Sequence, residues 1–379
     1  MENKRKIGRS AFGLRAPIIK EGDNIQEIAT KTVLNSGLPI DDRDILCITE
    51  SVVARAAGLY ATVDEIAQDV RTKYVDDETG KFNHLVLWYP IYSRNRFAIC
   101  LKGIARGMDK GATIFFVVSP EDEVGNRLIN QVTGVDIIKY YTKICEDEGV
   151  KVSFWGREDG KYKKIYPKLA RLSNHLVCPV RDYLKIIDAI ANSADDEVGD
   201  PFNCYALGDI LMGNGKPFGL WGSNKATEEK VKLFPGDILC NELVDNIQKS
   251  IEEWTGKKIE VCVYGDGSYH DIPSGILEML DPVSCPGYTS GLDAMPNEVK
   301  IKNLADDKYK DLQGEELEEA LKKEAREAGD TAGKMISQGC TPRKITGLVA
   351  SLADLISGSG SQGCPFVYIK GYFDNYGDC

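Results

Sequence analysis

The chain has 379 residues, enough for a large core divided between two domains or one domain with a large insertion. With 58 acidic against 47 basic side chains, a formal charge of −11 and a pI near 5.0, it lacks the basic face that nucleic acid requires. Its 42% hydrophobic content argues against wholesale disorder, and no apolar run reaches the length of a membrane span.

Met1-Glu2-Asn3-Lys4-Arg5-Lys6 leads into no apolar signal core, so a cytoplasmic protein with no membrane partner is expected. Ala16-Pro17-Ile18-Ile19-Lys20-Glu21-Gly22-Asp23 reads as a strand ending in a turn. Asp23 then caps a helix whose Ile25, Ile28, Ala29 and Val33 share one face, with Gly37 as its stop. Ile45 to Ile48 is a short buried strand. Beyond its end crowd the hydroxyl, acid and base of Ser51, Glu50 and Arg55, at the kind of strand edge where ligands sit in layered α/β structures. Ser51 as a simple turn cap, with Arg55 solvated, is the plainer reading.

Phe97–Leu101 and Thr113–Val118 are expected as strands flanking a glycine-bearing turn from Gly103 to Asp109. From about 127 to 235 the pattern is irregular, with helical stretches such as 183–190 between Gly/Asn turns. Leu243, Ile247, Ile251 and Trp254 form a helical stripe that ends at Thr255-Gly256, and Ile259 to Tyr264 follows as a strand. Residues 315–327 form a highly charged helix with pairing at four-residue spacing, best read as a solvated face. A last helical run from Ile345 to Ile356 is followed by Ser357-Gly358-Ser359-Gly360-Ser361-Gln362-Gly363-Cys364, and then by a β-like run from Phe366 to Ile369. The eleven cysteines are scattered, form no CxxC pair and stand apart from the three histidines. They read as reduced thiols rather than as a zinc site.

Two of these features can carry chemistry. The loop 357–364 lacks bulky side chains, so its backbone N–H groups can approach an anion closely. Its helix–loop–strand order is the reverse of a Walker A P-loop, and a flexible surface connection is the alternative. Gly265-Asp266-Gly267 places a carboxylate on a tight turn at a strand end, free to reach Mg²⁺ or Mn²⁺, with His270 and Asp271 nearby in sequence. An ordinary Asp-Gly turn explains the same residues without a metal. Together with Glu50, Ser51 and Arg55, these clusters suggest a nucleoside-triphosphate site outside the P-loop class.

These same residues resemble the coenzyme F(420):L-glutamate ligase family. Residues 16–23 are similar to its Leu-Pro-Leu-Ile-Lys-Glu-Gly-Asp start. Asp44 to Gly58 is similar to its first strand and Lys-Ala-Glu-Gly turn, Thr255-Gly256-Lys257-Lys258-Ile259 to its Thr-Gly-Lys-Arg-Val, and Leu352 to Gly371 to its closing Gly-rich loop. The matches keep the family's order. The resemblance implies an α+β fold with mixed sheets and helices, a non-P-loop nucleotide site and an intertwined homodimer. It also implies GTP contacts at Ala16, Pro17, Ile18, Ile19, Glu50, Ser51 and Arg55, and along Ser357, Gly358, Ser359, Gly360, Ser361, Gln362, Gly363 and Cys364. Arg55 and Asp266 would be catalytic, with Asp266 holding Mg²⁺ or Mn²⁺.

This chain departs from the family pattern at several points. Glu50-Ser51 stands for a Ser-Thr pair, Arg55 for a Lys, and Asp266 fits an Asp-Thr metal pair only after a one-residue shift. Gly103-Ile104 is followed by Ala105 where the family has Asp, leaving Asp109 or Glu123 as substitutes. Residues 127–235 and 275–340 read as insertions. The expected parts are therefore 1–126 and 236–379 as the two halves of a ligase-like core, with 127–235 as a second subdomain. The activity implied is GTP-dependent joining of L-glutamate to a small-molecule carboxylate acceptor through an acyl phosphate. The alternative is a nucleotide-binding regulatory protein of the same fold.

Overall fold

Strands buried on both faces lose the alternation of apolar and polar residues and read as continuous apolar runs. In the computed structural model, Ile45-Leu46-Cys47-Ile48 is such a strand, with all four side chains inaccessible to solvent. The structure describes residues 8–75, 79–88, 97–118, 127–129, 134–156, 176–178, 210–213, 216, 219–220, 223–265, 268–271, 276–279, 284–294, 299–329, 344–357, 363–374 and 376–378.

In chain order the elements begin with β1 (Ser10–Leu14), α1 (Ile25–Leu34), β2 (Ile45–Thr49) and α2 (Glu50–Ala56). They continue through β3 (Tyr60–Thr62), α3 (Val63–Tyr74), β4 (His84–Trp88), α4 (Ala98–Gly107), β5 (Thr113–Val118), α5 (Ile137–Asp147) and β6 (Lys151–Gly156). Next come β7 (Leu176–Cys178), β8 (Asn224–Thr227), β9 (Lys230–Lys232), α6 (Asp237–Thr255) and β10 (Glu260–Gly265). The last are the hairpin β11 (Ser268–Asp271) and β12 (Ile276–Met279), then β13 (Ser284–Tyr288), α7 (Gly314–Glu327), α8 (Ile345–Ser357) and β14 (Phe366–Lys370). The fold is α+β, with several small sheets, as the family resemblance implied.

The chain divides into two compact units. The first comprises residues 1–56, 237–265 and 282–379. Its five-stranded sheet has the order β1-β14-β2-β10-β13, with β2 and β10 parallel and the other pairs antiparallel. Alternate residues serve opposite faces. Leu46, Ile48, Val261, Val263, Phe366 and Tyr368 pack with α1, with Val53 of α2 and with Cys240, Val244, Ile247 and Ile251 of α6. Ile45, Cys47, Cys262, Tyr264, Val367 and Ile369 pack with Ile345, Val349, Ala350 and Ala353 of α8. Each fully buried aliphatic side chain in these layers is worth roughly 1.5–3 kcal/mol of transfer free energy.

Three local expectations for this unit need correction. Residues 16–19 are not a strand; the edge strand is β1, ending at Leu14, and Pro17 would remove a ladder donor. The cap of α1 is Asn24, whose side chain accepts from Glu27 N at 3.0 Å, while Asp23 accepts from Lys20 N at 2.6 Å. Trp254 is 76% exposed, and Cys240 and Val244 complete the buried stripe of α6 instead.

The second unit comprises residues 57–236 and 266–281. Strands β4, β5 and β6 are parallel in a sheet ordered β6-β5-β4-β7, with β7 antiparallel at the edge. Parallel neighbours need a crossover, and α4 supplies the one from β4 to β5. Phe97–Leu101 is therefore not a strand, and 103–107 is not a turn; both belong to α4 or its start. Nearly every side of α4 is buried, so its sequence shows no helical stripe and reads like a buried strand. Gly103 and Gly107 let it press against α3: a Cβ at Gly103 would lie 2.5 Å from Ile66 Cγ2, and one at Gly107 2.6 Å from the Ala67 carbonyl oxygen. The helical stretch expected near 183–190 lies outside the described residues.

Candidate functional site

The register of the five-stranded sheet determines which chain segments meet. Thr49 lies opposite Tyr264 in the parallel β2–β10 pair, so the C-terminal ends of both strands finish at one edge. Strand β14 runs the other way, with Phe366 opposite Ile48, which brings its entry to the same edge; Thr49 N donates to the Pro365 carbonyl at 3.0 Å. Strand β1 is antiparallel to β14, with Leu14 opposite Phe366, so its exit arrives there too. Ala16 N donates to the Gly363 carbonyl at 3.3 Å. The segments beginning at Ala16, Glu50 and Gly265, and the one closing at Cys364, therefore share one strand edge.

At this edge Glu50 is buried as the first residue of α2. It packs directly over Gly265: a Cβ at Gly265 would lie 2.2 Å from Glu50 Cγ, so this position accepts only glycine without a shift of the acid. The Glu50 carboxylate is also felt by Cys240, whose thiol is pushed up to about 12 by burial first and by Glu50 second. Ser51 and Arg55, four residues apart and hence on one side of α2, are both exposed. Ala16 is half-buried, Pro17 and Ile18 are exposed, and Ile19 is buried in the layer beneath α1 and α6. Ser357 closes α8, and its hydroxyl donates to the Asp354 carbonyl at 3.1 Å. Gly363 adopts a φ of 66°, and the Cys364 Sγ lies 3.3 Å from where a Gly13 Cβ would be, so β1 passes close beside the end of the loop.

Asp266 and Gly358, Ser359, Gly360, Ser361 and Gln362 lie outside the described residues, as does Glu123. Asp109, the other suggested substitute for the missing Asp, belongs to the second unit. There it accepts from Phe82 N at 2.9 Å and from Arg71 at 2.9 Å, and these bonds hold its carboxyl below the usual range. Among the described residues no group of three His, Cys, Asp or Glu side chains is arranged to hold a metal. Glu50, the titratable side chain described at this strand end, is an oxygen donor of the kind a hard cation such as Mg²⁺ or Mn²⁺ takes.

Sequence reasoning passed over Tyr264. It is 1% exposed, and its hydroxyl has no hydrogen-bond partner among the described residues. Its one sequence signal was a hydroxyl-bearing side chain closing an otherwise apolar strand, directly before Gly265-Asp266-Gly267.

A sheet covered by helices on both faces, with glycine-bearing segments converging at the ends of its strands, defines an α+β scaffold. The sequence model of the F420-0:gamma-glutamyl ligase family matches residues 13–371, and the chain belongs to that family. The family is one of ligases that form gamma-glutamyl bonds. Comparison with curated proteins gives no significant match. Among the described residues no helix is long and apolar enough to cross a membrane.

Proposed function

We propose that the chain is a GTP-dependent ligase joining L-glutamate to the carboxylate of a small-molecule acceptor. The observation that carries this reading is the meeting of Ala16, Glu50, Gly265 and Gly363 segments, far apart in sequence, at one strand edge. In the proposed reaction an acceptor carboxylate oxygen attacks the γ-phosphorus of GTP, the bond to the β-phosphate oxygen breaks, and GDP leaves. The glutamate amine then attacks the acyl carbon, the carbon–oxygen bond to the phosphate breaks, and phosphate departs while the amine gives up a proton.

This chemistry asks the protein for positioning and charge neutralisation rather than a covalent nucleophile. The exposed guanidinium of Arg55 would bind phosphate oxygens, with Ser51 on the same side of α2. Ser357 to Cys364 would supply backbone N–H donors, and Ala16 to Ile19 with Glu50 would line the guanine nucleotide. Asp266, which follows Gly265 directly, would hold Mg²⁺ or Mn²⁺, and such an ion supplies electrostatic screening of the triphosphate. The family resemblance makes a deazaflavin the first acceptor to try. We also infer a cytoplasmic homodimer, which light scattering on the purified protein checks.

The test is incubation with GTP, Mn²⁺, labelled glutamate and a deazaflavin acceptor or a metabolite extract. Formation of a labelled amide with one GDP per product is expected, and Asp266→Ala should abolish it. Full activity in that variant would remove the metal role. A second reading, nucleotide binding without catalysis, is favoured by the Gly103-Ile104 pair, which lacks the following Asp and is packed inside α4 against Ile66. Tight GTP binding with no turnover would select it.

A further inference from the structure

The first unit buries two tyrosines on opposite faces of one sheet, and their hydroxyls are completed differently. Tyr368 donates its hydroxyl to Asp44 at 3.0 Å, whereas the Tyr264 hydroxyl has no partner among the described residues. A buried donor left unmade is costly, so native structures rarely keep one unless something else completes it. Tyr264 is the penultimate residue of β10, immediately before Gly265 and opposite Thr49, at the edge where the candidate site forms. Ser357 and Asp354, in the last turn of α8 at the entry to the Gly/Ser loop, act on its phenol electrostatically, as do the thiols of Cys47 and Cys262. Ser357, whose hydroxyl donates to the Asp354 carbonyl, lies near enough to favour the phenolate, but no hydrogen bond of ordinary geometry joins the two hydroxyls.

We propose that Tyr264 is a nucleotide-binding residue whose hydroxyl donates to an anionic phosphate oxygen held at this strand edge. The inference rests on the nucleotide-dependent reading above and adds to it a donor that the sequence motifs do not include. Burial pushes the phenol pKa up, so the group remains a donor across the working pH range. A phosphate oxygen is the fitting partner, since a hydrogen bond to a charged acceptor is stronger than one between neutral groups.

The experiment measures GTP binding by calorimetry, with Mg²⁺ present, for the full-length wild type and for Tyr264→Phe, alongside thermal melts with and without GTP. Tyr264→Phe removes only the oxygen. The expected result is an apo melting temperature at or above wild type, a smaller GTP-induced shift, and GTP affinity about 10- to 100-fold weaker. Tyr264→Met, a second apolar replacement, should weaken binding likewise and covers the case in which the Phe variant does not fold. Wild-type affinity in either folded variant overturns the proposal, as does a lowered apo melting temperature with unchanged affinity, the mark of a purely structural group. Failure of the wild type itself to bind GTP would instead overturn the nucleotide-dependent reading, and this inference with it.

Discussion

The two ends of the central strands β2 and β10 both carry buried polar groups and differ in how those groups are completed. At the edge where β2 and β10 begin, Asp44 accepts from Lys370 Nζ at 2.6 Å, from Tyr368 at 3.0 Å and from Asp41 N at 2.9 Å. Lys370 also reaches Asp41 and the Pro39 carbonyl, and Glu260 accepts from Thr289 at 2.5 Å. At the edge where the same strands end stand a glycine pressed against an acid, a buried hydroxyl without a described partner, and the exposed Ser51 and Arg55. The first edge is finished by the protein's own side chains. The second leaves polar groups that the described residues do not complete, which is why the proposed site is placed there and stability is tested at its opposite.

That contrast yields predictions of graded size. Asp44→Ala removes the buried acceptor shared by Lys370, Tyr368 and Asp41 N, while Lys370 keeps Asp41 and the Pro39 carbonyl. It should cost about 2–4 kcal/mol in urea unfolding, with GTP affinity unchanged while the variant is folded. An affinity loss would mean that the two edges are not independent. Gly265→Ala acts at the other edge by forcing a Cβ against Glu50; about 1–3 kcal/mol of destabilisation with a large loss of ligase activity is expected. Adding Glu50→Gly should recover most of the stability and none of the activity.

The smallest effect is alkaline. Burial works against the Lys370 charge, but Asp41 and Asp44 outweigh it and hold the ammonium above its ordinary 10.5; burial first, then the Asp44 charge, raises the Tyr368 phenol. Groups whose folded pKa is raised contribute stability that is fully present below the unfolded value and lost as pH rises toward the folded one. Urea midpoints should therefore fall as pH rises through about 9 and beyond, the buried thiols such as Cys240 opening the fall and Lys370 with Tyr368 extending it above about pH 10, and Lys370→Met should shallow only that upper part. An unchanged slope in the variant would show that the finished edge does not govern it.

Much of the first unit was legible because its elements have strong local signals. β2 and β14 are continuous apolar runs, α8 has helical spacing, and Gly256 with φ 66° stops α6 where the sequence says it should. α4 was not legible, because a helix buried on nearly all sides has no polar face to betray its period. β1 was hidden by its brevity and by its edge position. Of the candidate site, the Gly-rich loop, Glu50 and Gly265 could be read as motifs, since small residues and charges are unusual beside apolar strands.

Composition, strand and helix periods, and the order of the glycine-bearing motifs were already set along the chain, because each depends on residues a few positions apart. The meeting of Ala16 with Gly363, of Glu50 with Gly265, and the fates of the two buried tyrosines arose only on folding. Strand pairing joins residues with no local relation, and whether a buried hydroxyl finds a partner depends on which distant carboxylate the register delivers to it.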